Sequence, residues 1–575
     1  MGKGFRRLKN RKPGKRCVPC GWSNPDGPFT EKEFMLKRRD WKFLWIGAGL
    51  LVSFMVFGSG AQAGFPGMDI TLWDEHQAKG DRNNPAYLKF LELVEKNQYK
   101  EAMHLIERAH RENPSKGTPL LLKSLLLYEM KRYKESYTLL QQGRNIQRRH
   151  PAISFAHCRI YRILGKVEYS DRACKIAVHQ HPNSKDSHYQ FAQTLAGMGH
   201  MELANRELAR AAELDATNAI YHYERGMNFF YLNDLDQAER SFLKALSLNP
   251  EDLESGYQLG YLYTLQKKFQ KAEEYLNRIW QTRQDHPKVE ASRVLIELIK
   301  KGGTDQLPAR VDPHQHHLNR SRALYQSGEY GLSLFEIQTA ARLKPDDKAT
   351  HQVLVALASL LLRLDLTEKS VKALMSAHSK DTVLQAKGYQ ELGDLRVMRG
   401  QLDQARAYYE KSQALGDPDE LAKISLAELP AQTPDPRAVL NSTEPFFHPA
   451  EALNHKGEVF AHYGMYQRAL ALYSLALRSH SGHLISKLNM AAAYYHIGVP
   501  HKTITLLERA LLSHPDHENI LSHRVLLAKA YAQKGDREGA IENLKFIQKI
   551  KPSVLKALHN DPAFKELKDH ALFGQ

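Results

Sequence analysis

Residues 219–252, AIYHYERGMNFFYLNDLDQAERSFLKALSLNPED, read as two short amphipathic helices joined by a tight turn. In the first, Gly226 sits where another backbone must come close. In the second, Ala238 and Ala245 share one face, with Phe242 between them and Pro250 as the stop. Small residues let two helices touch, and the ring fills the gap beside them. Asn233, in the turn, tolerates the left-handed conformation that closes a helix.

The same 34-residue frame fits the chain twelve times, starting at Asn83, Gly117, Pro151, Lys185, Ala219, Leu253, His314, His351, Ala386, Ala450, Leu484 and Leu521. Position 20 is small in all twelve, from Ala102 through Ser136, Ser170, Ala238, Ser370 and Thr503 to Ala540. Position 27 is small in ten, Ile279 and Ile547 being the exceptions. The turn at position 15 carries Gly165, Gly199, Gly328, Gly400, Gly464, Gly498 and Gly535, with Asn97 and Asn233 in two others. This phasing resembles the tetratricopeptide repeat. The resemblance implies an all-α, right-handed superhelical solenoid of about twelve helix-turn-helix repeats, a scaffold that binds partners and performs no chemistry itself.

At 575 residues the chain is too long for one compact core, but a solenoid grows in one dimension and escapes that limit. Two interruptions divide it. Residues 287–301 read as an extra amphipathic helix followed by Gly302-Gly303, and residues 429–449 carry five prolines and read as a loop. The expected arrays are 83–302 with six repeats, 314–428 with three and 450–575 with three, separated by a linker at 303–313 and the proline-rich loop. A closing helix or two beyond Pro552 covers the last repeat's apolar face.

The N-terminal part differs. Residues 43–57, FLWIGAGLLVSFMVF, follow a basic run and lead into Ala61-Gln62-Ala63, an A-x-A cleavage pattern. An apolar core this short suits a secretory signal better than a membrane span, which needs roughly 20 residues. Residues 35–63 have signal-peptide proportions, residues 1–34 read as a basic upstream extension, and 64–82 as a linker. The expectation is an exported, periplasmic or extracytoplasmic protein. The alternative is a single-pass anchor with the repeats outside the cytoplasm. The formal net charge of +17 is concentrated here: residues 1–63 hold 13 Lys or Arg against 4 Asp or Glu. The remainder shows no dense basic stripe, so nucleic-acid binding is not indicated.

In the family the resemblance points to, positions 2, 5, 9, 12 and 13 of the first helix line the concave groove. Position 5 is aromatic in five of the first six repeats, as Tyr87, Phe155, Tyr189, Tyr223 and Tyr257, and Phe230, Tyr231 and Tyr261 extend the stripe. Such a stripe suits an extended peptide or a glycan strand; equally, tyrosine here packs neighbouring helices. The Lys and Asn clamp with which some members grip a C-terminal carboxylate is present only in pieces, Asn319 with Arg322 and Asn489 with Lys529.

Cys158 and Cys174 fall at positions 8 and 24 of the third repeat, facing inward from opposite helices. They read either as a disulfide closing a loop of about 17 residues or, preferred from sequence, as two buried thiols. Cys17 and Cys20 form a lone C-x-x-C, weak evidence of a metal or redox site. His314, His316 and His317 cluster before the seventh repeat and read as solvated linker residues rather than metal ligands. No nucleophile elbow, P-loop, H-E-x-x-H or Rossmann fingerprint occurs. The expectation is a non-catalytic scaffold of the cell envelope without cofactor, with protein or peptide partners; the alternatives are a glycan- or peptidoglycan-associated scaffold and an accessory subunit of an enzyme complex.

Overall fold

The computed structural model describes residues 84–572 apart from 149, 151, 283–286, 308–311, 431–444 and 517–518. The expected signal or anchor, the basic extension, Cys17, Cys20 and the 64–82 linker lie outside the described residues. Among the described residues every regular element is a helix, and no helix is long and apolar enough to cross a membrane.

Residues 219–252 fold as the helix pair Ala219–Tyr231 and Leu235–Leu248. The Asn218 side chain caps the first by accepting from the Ile220 amide at 3.1 Å, and Asp234 caps the second through the Gln237 amide at 3.1 Å. Each cap satisfies an amide that has no partner within the helix. A Cβ on Gly226 would stand 2.5 Å from the Phe242 ring, so the glycine is what lets the two helices close on the aromatic. Gly393 with Tyr409 and Gly457 with Tyr473 repeat the contact. The residues at position 20, from Ala102 to Ala540, are buried.

The turns obey one rule that composition only partly shows. Left-handed φ occurs at all the glycines expected there and at Asn97 and Asn233, but also at Lys131, Lys267 and Leu362. A side chain in this region costs about 1–2 kcal/mol, and the packing of the hairpin imposes it. Leu362 also corrects the frame placed at His351. That hairpin is Lys348–Leu360 with Leu364–Ala377, three residues earlier, so Thr367 is its fully buried small residue and Ala377 is exposed. Residues three apart share a helix face, which hides the slip in the sequence. The next first helix, Thr382–Met398, has 17 residues against 13 in Ala219–Tyr231, and this added turn restores the phase.

A first run of hairpins, residues 85–300, ends in the extra helix Pro287–Lys300, which buries Val289, Leu295 and Ile296. A middle run begins at Pro313–Gln326 and ends in Leu421–Glu428. A last run begins at Pro449–His462 and is closed by Pro552–Leu558 and the short 3-10 helix Pro562–Leu567, with Leu555, Phe564 and Leu567 buried.

The middle run folds back onto the first, which the repeat spacing does not predict. Its helix Tyr330–Leu343 packs against Ala152–Ile163 and Lys185–Gly197. Glycines make the approach feasible: a Cβ on Gly331 would run into the Ile163 carbonyl, and one on Gly197 into the Phe335 ring. The amide of Gln338 donates to the Gly165 carbonyl at 2.8 Å, the Thr339 hydroxyl donates to the Gly197 carbonyl, and Arg363 Nε donates to the Leu164 carbonyl at 3.2 Å. Ion pairs Lys131–Glu329 at 2.9 Å and Lys134–Glu451 at 3.0 Å flank the contact.

Candidate interaction site

The aromatic stripe of the first run lies between helices. Tyr87, Phe155, Tyr189, Phe230, Tyr231, Tyr257 and Tyr261 are buried, and Tyr223 keeps part of its surface exposed. The rings meet one another or the rings of neighbouring helices, Tyr189 with Tyr221 at 5.4 Å, Tyr223 with Phe242 at 6.0 Å and Phe230 with Tyr261 at 5.9 Å between centroids. Burial holds the Tyr189, Tyr223 and Tyr231 hydroxyls well above the usual tyrosine range, so they remain protonated donors. As placed, these residues pack the superhelix.

Charged groups line the inner side of the fold-back. Arg159 is buried against Glu129 and over the Tyr128 ring at 3.8 Å. Arg162 donates to Gln190 at 3.1 Å, and Arg320 pairs with Glu336 at 2.9 Å. The histidine trio sits in the first turns of Pro313–Gln326 rather than in a solvated linker. His314 Nε2 lies 3.0 Å from the Thr350 hydroxyl, His316 Nδ1 2.7 Å from the Tyr231 hydroxyl, and His317 Nδ1 2.7 Å from Glu336. The trio is thus used in packing, and among the described residues no group of His, Cys, Asp or Glu is arranged to hold a metal ion.

Cys158 and Cys174 are joined in a disulfide, with Cα atoms 4.7 Å apart. Positions 8 and 24 are those of Gly226 and Phe242, where the two helices of a hairpin come closest. That proximity makes the bridge feasible, and it replaces the preferred reading of two free thiols.

The last run presents a different inner face. Asn454 accepts from the Ser486 hydroxyl at 3.0 Å and from the Asn489 amide at 3.1 Å. Both Asn454 and Asn489 donate to Glu458 Oε1 at 2.8 Å, and His455 Nδ1 lies 3.5 Å from its other oxygen. Desolvation pushes the Glu458 carboxyl up, but the bonds from His455, Asn489 and Asn454 outweigh it and hold the group below the usual range. Its side chain is 43% exposed, so a carboxylate held charged by three neighbours faces solvent. These residues occupy positions 5, 6 and 9 of adjacent hairpins, and the legible sign is the change from an aromatic to an amide at position 5. Asn319 accepts from Gln315 at 3.0 Å, and Lys529 pairs with Asp561 at 2.6 Å, so two residues of the scattered clamp pieces are engaged within the fold.

A buried network seats the last run. Asp394, from Thr382–Met398, takes Arg468 at 2.7 Å, Lys456 at 2.9 Å and the Tyr409 hydroxyl at 2.9 Å. Burial would raise its pKa, but the two cations win and hold it below the ordinary range. The Glu428 carboxylate accepts from the Gln467 and Arg468 amides at 2.7 and 3.1 Å and so caps Tyr466–Ser479 from another element.

A tetratricopeptide-repeat family model matches residues 230–294. No curated protein matches the sequence. Among solved structures, YrrB, described as a tetratricopeptide protein with an unusual peptide-binding site, is 18% identical, covers 33% of this chain and 97% of its own, and has a TM-score of 0.29. The tetratricopeptide domain of P58(IPK) is 14% identical over 67% of this chain and 96% of its own, with a TM-score of 0.20. A tetratricopeptide protein from Parabacteroides merdae is 15% identical over 48% of this chain and 96% of its own, with a TM-score of 0.23. The family match takes in Phe242 of the Gly226–Phe242 contact, and the same contact recurs beyond it at Gly393 with Tyr409 and Gly457 with Tyr473, so the chain contains repeats of the tetratricopeptide type.

Proposed function

We propose that the chain is a non-catalytic protein-binding scaffold of the cell envelope, built from twelve repeats in three arrays, whose partner face is the inner side of the last run. The observation that carries this is the charged, solvent-facing Glu458, held by the buried Asn454 and the half-buried Asn489. Amide side chains offer a peptide backbone both donor and acceptor, and a fixed carboxylate favours a basic side chain beside them. Stacked hairpins hold the face rigid, so binding orders little of the scaffold. The glycan alternative needs an open aromatic stripe, and the burial of seven of those eight rings favours the protein reading.

The envelope placement draws on the sequence of residues 35–63 and on the Cys158–Cys174 bridge, since disulfides persist in oxidising compartments. The test is capture of partners from an envelope extract by the wild-type chain and by Glu458→Gln with Asn489→Ala. Loss of a specific partner from the variant, with its thermal unfolding unchanged, is the expected result. Identical capture by both removes the last run as the site.

A further inference from the structure

Histidines stand at two contacts of the folded-back chain, one against the first run and one between the middle and last runs. At one end the His316 ring lies 4.0 Å from that of Tyr231, across the contact between Pro313–Gln326 and Ala219–Tyr231. Facing this region are Tyr231, Tyr223, Glu224 and Arg162 from the first run, Glu336 from Tyr330–Leu343, and His317 and Arg320 from its own helix. Glu336 is already engaged by Arg320 and His317, and burial pushes the Glu224 carboxyl toward its neutral form. A proton on His316 therefore adds a cation beside Arg320 without a new counter-charge.

At the other end His448 Nδ1 accepts from the Ala450 amide at 3.0 Å and caps Pro449–His462. Its ring lies 5.4 Å from that of Tyr330, which begins the docked helix, and 5.8 Å from that of His480. His480, His483 and Glu451 surround it, and Glu451 is paired with Lys134 of the first run. Protonating Nδ1 removes the cap acceptor and places positive charge at a helix N-terminus.

We propose that the fold-back is an acid-released latch, in which protonation of His316 at its contact with Tyr231 frees the first run from the middle run, and protonation of His448 loosens the seat of the last run on Tyr330, while the hairpins stay folded. The linkage has a definite sign. Desolvation first, and neighbouring cations second, hold both imidazoles below their ordinary range in the closed form. Both are neutral in either form well above the ordinary imidazole pKa of about 6.5, so the latch keeps its full stability there. Below that the open form takes up protons that the closed form refuses, and stability is lost as pH falls.

The experiment is small-angle scattering of the full chain from about pH 7.5 to 5, with far-UV circular dichroism on the same samples. The radius of gyration is expected to rise while the helical signal holds. His316→Gln with His448→Asn, which keeps a capping side chain without a titrating one, is expected to stay compact down to about pH 5. Gly331→Leu cannot dock and is expected to be expanded already at about pH 7.5. A wild-type chain that stays compact at about pH 5 while Gly331→Leu is expanded overturns the proposal, as does a histidine variant that opens at the wild-type pH.

Discussion

The first and last runs share a hairpin and differ in what their inner faces do. In the first run position 5 is a ring in five of six repeats, all but Tyr223 buried against neighbouring helices, and Tyr330–Leu343 packs on two of its first helices, Ala152–Ile163 and Lys185–Gly197. In the last run the equivalent positions carry Asn454 and Leu488, and Glu458 remains open. An aromatic stripe in a solenoid therefore does not by itself mark a binding face. Large rings are also the economical way to fill the wide inner seam of a superhelix, and here the polar run has the accessible surface.

The largest effect should come from the first run's packing. Phe155→Ala empties a fully buried site and is expected to cost about 3–5 kcal/mol, read by denaturant unfolding. Partner capture by the fraction that remains folded should be unchanged, since Phe155 reaches no open surface. Next comes the bridge in the same hairpin. Cys158→Ala with Cys174→Ala removes a closed loop of separation 16 and should cost about 3 kcal/mol, measured against the wild-type chain under non-reducing conditions. An unchanged midpoint would mean that the thiols were never joined.

The last run should respond the other way. Glu458→Gln with Asn489→Ala alters exposed or half-exposed groups, so stability should stay within about 0.5 kcal/mol of wild type. Affinity for a captured partner should fall by at least about tenfold, equivalent to about 1.4 kcal/mol, in titration calorimetry. A stability loss without an affinity loss would make the Asn454–Glu458–Asn489 cluster a packing device like the aromatic seam.

Local chemistry makes the hairpin legible, and long-range geometry hides the rest. Gly226, Ala238 and Phe242 must have these sizes because two helices cross there, and such constraints repeat visibly every 34 residues. The fold-back depends on Gly331 meeting Ile163 and on Gln338 reaching Gly165, single contacts between residues more than 150 apart. No period carries them, and Gly331 reads in sequence as an ordinary residue at a helix start. The candidate face is half visible: Asn454 and Glu458 stand at groove positions 5 and 9, but only the structure joins them to Asn489 of the next hairpin.

The smallest effect tests whether the two runs obey the same turn rule. Lys267, in the first run, is exposed and holds φ 59°, a conformation that glycine adopts without a side-chain penalty. Gly498, in the last run, holds φ 76°, and a methyl group added to it would meet nothing within 4 Å, so any cost of a side chain there is conformational. Lys267→Gly should therefore stabilise, and Gly498→Ala destabilise, each by about 1 kcal/mol in thermal unfolding. The weak pair Lys267–Asp305, at 3.5 Å between exposed side chains, subtracts little from the first. Opposite signs at these two turns would mean that one backbone requirement governs both runs, leaving side-chain choice on the inner face as what sets them apart.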